Sequence, residues 1–428
     1  MGQGVLTPGF VRAPDGALSC EGVPIERLAR DVGTPAYVYS ATIIRERFMR
    51  LQAALSAVPH RVHYTLKANS SRAILRILRE LGAGAEIVSG GELHRALAAG
   101  FGGADVIFGG VGKTDDELRE AIEANVLLIN VESEAELRRI DGFAREAGKI
   151  APIGIRVNPE LTLAAPHAYI KTGERGHKFG IPHDDALRVA YVAVSLNNVA
   201  LTGLAMHLGS QLSRIEPFQA GTERLVALYQ ALRTSGVTTL RYLDIGGGLS
   251  VRYDTEELPD LDEFARLVLP LVATTGLTLL MEPGRFLVGN AGALVARVLY
   301  RKRSGGKEYV IADAGMTELL RPSHYGAFHR VESVAASGDR RIVADVVGPV
   351  CESGDFLALD REMADVEPGE LILVHDVGAY GAVMASNYNA RRRAAEVLVE
   401  GDRYAVITRR ESYDDLVRLE VDEPNWRT

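Results

Sequence analysis

The feature that most constrains this chain is a repeated unit: a short β-branched and aromatic run, a polar residue at its end, then a helix with one apolar face. In Arg61-Val62-His63-Tyr64-Thr65-Leu66-Lys67-Ala68-Asn69 the first six residues read as a strand, and Lys67 stands where it should end. Ile74, Leu75, Ile77, Leu78 and Leu81 then follow at helical spacing. Upstream lie a hairpin over 10–20 turning at Pro14-Asp15-Gly16, a short helix over 25–32 ended by Gly33, a strand over 36–39 and a helix over 43–57. From 62 onward the alternation is regular. Strands are expected over 62–66, 85–88, 105–108, 126–130, 153–157, 201–207, 241–245 and 277–281. Helices are expected over 73–81, 92–99, 115–124, 134–147, 184–194 and 218–234. Eight strands alternating with helices predict a (β/α)8 TIM barrel, with a doubly wound open sheet as the alternative.

After Gly284 the rhythm changes. Strand-like runs over 294–300, 308–312, 342–347, 371–375, 395–398 and 403–408 follow with no long helix between them. They predict a C-terminal antiparallel β domain. A chain of 428 residues has length enough for two domains. The expected division is a barrel over 36–285 and a β domain built from 1–35 with 286–428, because chain ends often lie close together. The polar loop over 159–180, with Glu174-Arg175-Gly176-His177-Lys178, is long enough to be read as functional or disordered.

Composition excludes several classes. A net charge of −8 argues against a nucleic-acid-binding surface. Cys20 and Cys351 are too few and too far apart for a disulfide framework and fit a reducing cytoplasm. Met1-Gly2-Gln3-Gly4 does not begin a signal peptide, and Leu6 stands where a myristoylation motif has Ser or Thr. The most apolar stretch, 267–281, is broken by Pro270, Thr274, Thr275 and Gly276, so no membrane span is expected. No His/Cys spacing suggests a metal site.

In such a barrel the active site lies at the C-terminal ends of the strands. Those positions hold Lys67, Glu86 before Ser89-Gly90-Gly91, Arg156 with Asn158, His207-Leu208-Gly209-Ser210, Gly246-Gly247-Gly248, and Glu282-Pro283-Gly284-Arg285. Each has a plainer reading: a tight turn, a structural histidine, a surface ion pair. Their concentration on one rim argues for chemistry. Glycines let backbone N–H groups approach a phosphate, and Ser210 adds a donor. His207 offers a flat ring, Glu282 an acid for a protonated ring nitrogen, and Lys67 an amine for an aldehyde. The set describes a site for pyridoxal 5′-phosphate.

The stretches YTLKAN (64–69), VSGGEL (88–93), HKFG (177–180), HLGSQ (207–211), DIGGGL (244–249), EPGR (282–285), DAGMTELLRPSHYGA (313–327), GPVCESGDF (348–356), VGAYG (377–381) and SNYNARRR (386–393) together resemble the fold-type III pyridoxal-phosphate decarboxylases. The resemblance is nearest to their diaminopimelate-specific branch. It implies an alanine-racemase-like barrel, with Lys67 holding the cofactor covalently and His207 stacking on its ring. Ser210, Gly246, Gly247, Gly248, Arg285 and Tyr380 would hold the phosphate. Glu282, followed by Pro283 and Gly284, would pair with the ring nitrogen, and Glu86 and Arg156 would be charges near the lysine. Arg321, Tyr325, Glu352, Arg285 and Tyr380 would bind the far end of an amino-acid substrate. Arginine suits a carboxylate, so a substrate with a distal carboxylate and ammonium, meso-2,6-diaminopimelate, fits better than lysine or ornithine. A plainer reading pairs Arg321 with Glu318 on the surface. The resemblance also implies a homodimer with shared active sites, in which Cys351 is the proton donor and Cys351-Glu352 comes from the other subunit. Alternatives are a decarboxylase for carboxynorspermidine or a basic amino acid, a barrel racemase, and a non-catalytic cofactor-binding regulator.

Overall fold

The computed structural model describes residues 9–14, 16–161, 173–335, 340–424 and 426. The N-terminal tetrapeptide, Leu6, Asp15 of the expected hairpin turn and part of the 159–180 loop therefore lie outside the described residues. The chain divides into two compact units, 44–289 and 1–43 with 290–428.

In chain order the first strands are Phe10–Arg12 (β1), Leu18–Cys20 (β2), Val23–Pro24 (β3) and Ala36–Ser40 (β4). The barrel strands follow: His60–Thr65 (β5), Gly84–Ile87 (β6), Val106–Phe108 (β7), Leu128–Val131 (β8), Ala151–Asn158 (β9), the two-residue Ile181–Pro182 (β10), Val199–Ala205 (β11), Tyr242–Asp244 (β12) and Thr278–Met281 (β13). All barrel pairings are parallel in the order β5-β6-β7-β8-β9-β11-β12-β13, and β13 pairs back with β5. The sheet therefore closes on itself and has no edge, which rules out the open doubly wound alternative. Every barrel strand end falls within two residues of its expected position. Those runs are buried on both faces, as an all-parallel sheet requires.

Strand alternation turns Gly84, Ile107, Leu128, Gly154, Gly203 and Leu280 toward the barrel interior. Ile107, Leu128 and Leu280 pack there with Tyr242 and Leu127. Gly154 and Gly203 leave the room: a Cβ on either would stand 3.1 and 3.0 Å from the Leu128 side chain. One long helix was not expected. Leu261–Ala273 spans a stretch whose Pro270 reads as a breaker, yet Pro270 lies inside the helix. Its buried face of Leu261, Phe264, Val268, Leu269 and Val272 outweighs the lost backbone bond.

The second unit is built on Gly292–Ser304 (β14), Lys307–Ala312 (β15), Val331–Ser333 (β16), Arg341–Val347 (β17), Phe356–Ala364 (β18), Leu371–Val374 (β19), Ala395–Glu400 (β20) and Arg403–Thr408 (β21). The sheet runs β18-β17-β15-β14-β4-β20-β21. Two differences from expectation stand out. The strand assigned to the head of the barrel domain, β4, lies here between β14 and β20, with all five of its residues buried. The barrel is already complete with eight strands, and Ala-Tyr-Val-Tyr-Ser is apolar enough for a central strand. The sheet is also mixed, because β4–β20 and β15–β17 are parallel while the other pairs are antiparallel. Strand β18 escaped the sequence reading because Asp360-Arg361-Glu362 interrupts its apolar ends.

The N-terminal hairpin β1–β2 forms its own small sheet with β3 and does not extend the large one. Phe10, Leu18 and Cys20 instead pack face-on against Val38, Val295, Leu373 and Val397. Among the described residues no helix is long and apolar enough to cross a membrane.

Candidate active site

Within the barrel unit the polar residues gather at the C-terminal strand ends. Lys67 sits in a single 3-10 turn, Leu66–Ala68, just past β5. Its Nζ is 3.5 Å from Oε2 of Glu86, whose side chain is buried. The other rim lysine, Lys113, makes an instructive contrast. Its buried ammonium donates to the carbonyls of Gly110 and Asn130 at 2.7 and 2.8 Å and to Glu136 at 2.8 Å. Three acceptors satisfy three N–H groups, so Lys113 is a structural cation. Lys67 keeps 37 % of its side chain exposed and faces one buried acid, a better setting for an amine that reacts.

Glu282 follows β13. Its backbone is fixed by its N–H donating to the Gly246 carbonyl at 2.9 Å and by the Thr65 hydroxyl donating to its carbonyl at 2.8 Å. Its side chain shares a hydrogen bond with Asp244. Asp244 in turn accepts from the Gly246 N–H at 2.9 Å and from Asn130 Nδ2 at 3.1 Å. Burial, then the charges of Asp244 and Glu86, push the Glu282 carboxyl well above the usual carboxylate range, with Lys67 opposing. Its buried Oε1 has no hydrogen-bond partner among the described residues. A buried acceptor left in this state calls for a donor from outside the chain.

The loops after β11 and β12 are zipped together beside it. Gln211 donates through Nε2 to the Val251 carbonyl at 2.5 Å and accepts from the Val251 N–H at 3.2 Å. The Leu212 N–H donates to the Gly248 carbonyl at 2.9 Å. Between them run Gly246, Gly247 and Gly248. A Cβ on Gly247 would fall 2.2 Å from the Glu282 carbonyl oxygen, and one on Gly248, at φ +107°, 2.6 Å from that of Gly209. The Gly247 N–H donates to His207 Nδ1 at 3.2 Å, which fixes the imidazole as a neutral ring protonated on Nε2. Burial, then the positive charges of Lys67 and Arg156, hold its pKa well below the ordinary histidine value.

The buried Arg285 closes this cradle. It donates from Nη2 to Ser210 Oγ at 3.1 Å and from Nη1 to the Tyr253 hydroxyl at 2.6 Å. Pro283 gives its carbonyl to the Thr65 N–H at 3.3 Å. Gly284 lets the chain pass where a Cβ would stand 2.9 Å from that of Ala68. Arg156 pairs with Glu132, whose other oxygen accepts the Gly180 N–H at 2.6 Å, and lies 5.1 Å over the Phe179 ring. Glu92 accepts from the Val88 N–H at 2.8 Å. Burial and then the neighbouring Glu86 raise its carboxyl to about 7.

The β unit gathers three of the resembling segments around Asp355. Its Oδ1 accepts the Met316 N–H and its Oδ2 the Val350 N–H, both at 2.6 Å. Gly315 and Gly348 are glycines because a Cβ on either would overlap this carboxylate, at 2.1 and 2.4 Å. The Ser323 hydroxyl donates to the Gly354 carbonyl, and the Ser386 N–H to the Thr317 carbonyl at 3.0 Å. Cys351 is an exposed free thiol whose backbone N–H donates to Asn389 Oδ1 at 2.9 Å. Glu352 is exposed beside it.

Arg321 and Tyr325 begin and end one short helix, Arg321–Tyr325. Arg321 is buried, with Nη1 2.7 Å from His329 Nε2. The surface pairing with Glu318 is thus replaced: Glu318 is itself buried and accepts from the Gly315 N–H and the Thr317 hydroxyl, each at 2.9 Å. Tyr380 has a left-handed backbone, φ +59°, a conformation that non-glycine residues adopt mostly where function or packing demands it. Sequence reasoning missed Asp244, Glu92, Tyr253 and His329, although all except Tyr253 lie inside or within two residues of the resembling segments. Alternation along β12, which turns Asp244 inward like Tyr242, could have found the first.

Comparison with known proteins identifies the family. Residues 41–289 match the family model of the pyridoxal-dependent decarboxylases, pyridoxal binding domain. The chain is 45% identical over 404 residues to the diaminopimelate decarboxylase of Neisseria meningitidis serogroup B, covering 94% of this chain and 97% of that one. It is 43% identical over 415 residues to that of Aquifex aeolicus, covering 96% and 98%. The crystal structure of the Helicobacter pylori diaminopimelate decarboxylase complexed with L-lysine superposes with a TM-score of 0.89 at 39% identity, covering 92% and 98%. Matched by that family model over more than half its length and by these relatives over nearly all of it, the chain belongs to the pyridoxal-dependent decarboxylases, in the diaminopimelate decarboxylase family.

Proposed function

We propose that this protein decarboxylates meso-2,6-diaminopimelate to L-lysine and carbon dioxide with pyridoxal 5′-phosphate, the last step of lysine biosynthesis, in the cytoplasm. The observation that carries the cofactor's place is the orphaned Oε1 of Glu282 beside a glycine cradle. The residues fit the group. Lys67 would hold it covalently, and His207, neutral and planar, would stack on it. The N–H groups of 246–248 with Ser210, Arg285 and Tyr380 would take its phosphate. Glu282 would accept the hydrogen bond of its ring nitrogen. Bound there, the cofactor supplies the electron sink for the carbanion left when carbon dioxide departs.

The chain's own residues do the rest. Glu282 would hold a proton at the cofactor's ring nitrogen, which would make the sink effective. Glu86 keeps its carboxylate beside Lys67 Nζ, and Arg156, tied to Glu132, adds a fixed positive charge near His207. Arg321, Tyr325 and Glu352 would receive the distal carboxylate and ammonium. Cys351 would return a proton to the α carbon. The exposure of the Cys351-Glu352 turn supports a homodimer in which that turn serves the site of the second subunit.

The test is carbon dioxide release from meso-diaminopimelate, L-lysine, L-ornithine and L-arginine with added cofactor, and a Lys67→Ala control. Release from diaminopimelate alone, abolished in the variant, is expected. Release mainly from lysine or ornithine overturns the assignment of Arg321, and release from none of them overturns the reaction.

A further inference from the structure

We propose that His329 is a positioning residue for substrate selection: it holds the Arg321 guanidinium through the unprotonated face of a neutral imidazole. The inference rests on the reading of Arg321 as the grip on the distal carboxylate. The geometry decides the tautomer. His329 Nδ1 is 2.8 Å from the His375 carbonyl oxygen, which can only accept, so Nδ1 carries the proton. Nε2 then presents a lone pair, and it faces Arg321 Nη1 at 2.7 Å. A guanidinium has no lone pair to offer in return. The contact therefore runs one way, from arginine to histidine, and a doubly protonated ring would set N–H against N–H.

The ring itself is well anchored. His329 is fully buried, and its backbone carbonyl accepts from Arg361 Nη1 at 2.7 Å. Arg361 lies 3.9 Å over the ring of Phe328. His375, which supplies the carbonyl, is fixed by its backbone N–H donating to the Arg330 carbonyl at 2.9 Å and by its Nε2 lying 2.9 Å from Glu332. Arg321 is only 6% exposed, and a buried arginine whose acceptor is fixed presents its remaining N–H groups in a set direction. That direction is what a planar, bidentate carboxylate reads. The sequence places the two residues eight apart in Arg321-Pro-Ser-His-Tyr-Gly-Ala-Phe-His329, and the left-handed Gly326 turns the chain back so that they meet.

The experiment uses the cofactor-loaded enzyme and two competitive ligands. L-lysine carries the carboxylate that meso-diaminopimelate keeps through the reaction, and cadaverine lacks it. His329→Phe removes the acceptor, while His329→Gln keeps an acceptor and a donor. Losing a hydrogen bond to a charged group is worth about a ten- to hundredfold change in binding. His329→Phe is expected to raise the L-lysine inhibition constant and the diaminopimelate KM by that amount, with a smaller change in kcat. Cadaverine inhibition should stay within about twofold, and His329→Gln should recover most of the loss. In an Arg321→Ala background His329→Phe should add nothing.

Weakening of both ligands together would assign a merely structural role and overturn the inference. An equal loss in the Gln variant would also overturn it. If Arg321→Ala weakens L-lysine but His329→Phe does not, the inference fails while the reading of Arg321 stands. If Arg321→Ala leaves L-lysine unchanged, that reading fails first. His329→Leu, equally without an acceptor, takes the place of the Phe variant should the latter not fold.

Discussion

Asp244 and Glu282 are two buried carboxyl groups joined by a hydrogen bond, so the pair holds a proton between them. Asp244 is anchored by Asn130 and by the Gly246 N–H, while Glu282 keeps one oxygen unpartnered. A pair with one proton carries a single negative charge, which matches one protonated ring nitrogen. Glu282→Gln should therefore bind cofactor yet lower kcat by about a hundredfold or more, read from steady-state rates at matched cofactor content. The cofactor-free protein should respond in the opposite sense. A carboxyl whose folded pKa is raised gives up its proton later than in the unfolded chain, so stability falls as pH rises above the unfolded value of about 4.3. Cofactor-free Glu282→Gln should be more stable than the parent at pH 8, by at least about 1 kcal/mol, and no more stable at pH 4. Thermal melts at the two pH values check this.

The glycine cradle gives a positional test. Gly247→Ala places its methyl 2.2 Å from a backbone carbonyl oxygen, which no side-chain movement relieves. It should abolish cofactor retention and cost more than about 2 kcal/mol of stability. Gly276 is the control. It has φ +68° but, among the described residues, nothing within 4 Å of the added methyl, so Gly276→Ala should cost only about 1 kcal/mol of backbone strain and leave cofactor content intact. Absorbance of bound cofactor after dialysis, with melting curves, separates the two.

The barrel and most of its rim were legible because parallel strands buried on both faces are written as unbroken apolar runs, and polar residues at their ends are conspicuous. Lys67, His207 and Glu282 stand at such strand ends. What escaped shares a cause. Strand β4 is as apolar as a barrel strand, and nothing local says which of two sheets will take it. Helix Leu261–Ala273 was masked by Pro270, since local chemistry does not announce the burial that overrides it. Asp244 and His329 meet Glu282 and Arg321, partners 38 and eight residues away. Such pairings are set by the fold, and a pattern read along the chain shows the residue without its partner.

Cys351 offers a test that separates chemistry from packing. Its thiol is exposed, and its hydrogen bond to Asn389 comes from the backbone N–H. Cys351→Ala therefore leaves that bond and the Asp355 network untouched. The variant should keep the parent melting temperature and cofactor content while losing about a hundredfold or more in kcat, as expected for a proton donor. Equal losses in stability and activity would point to a packing role.

Glu332 sets the acid limit of the β unit. Burial alone would raise its carboxyl. Hydrogen bonds from His375 and Arg12, with the charges of His375 and Arg330, more than offset it and bring the group down to about 2. Arg12 is held at 2.8 Å from Glu332 and also donates to the carbonyls of Gly16 and Ser333 at 2.6 and 2.5 Å, tying the N-terminal hairpin to β16. A depressed folded pKa means that the unfolded chain takes up a proton first. The stabilisation is complete above the unfolded value of about 4.3 and disappears as pH falls through about 2. With a fifth of the side chain exposed, the contribution discounted for solvent screening is about 1–2 kcal/mol. Glu332→Gln should therefore lower stability by that amount at pH 7, and the two proteins should converge near pH 2. Denaturant titrations across this range check it, and a gap that stays constant with pH would show that shape, not charge, holds the hairpin.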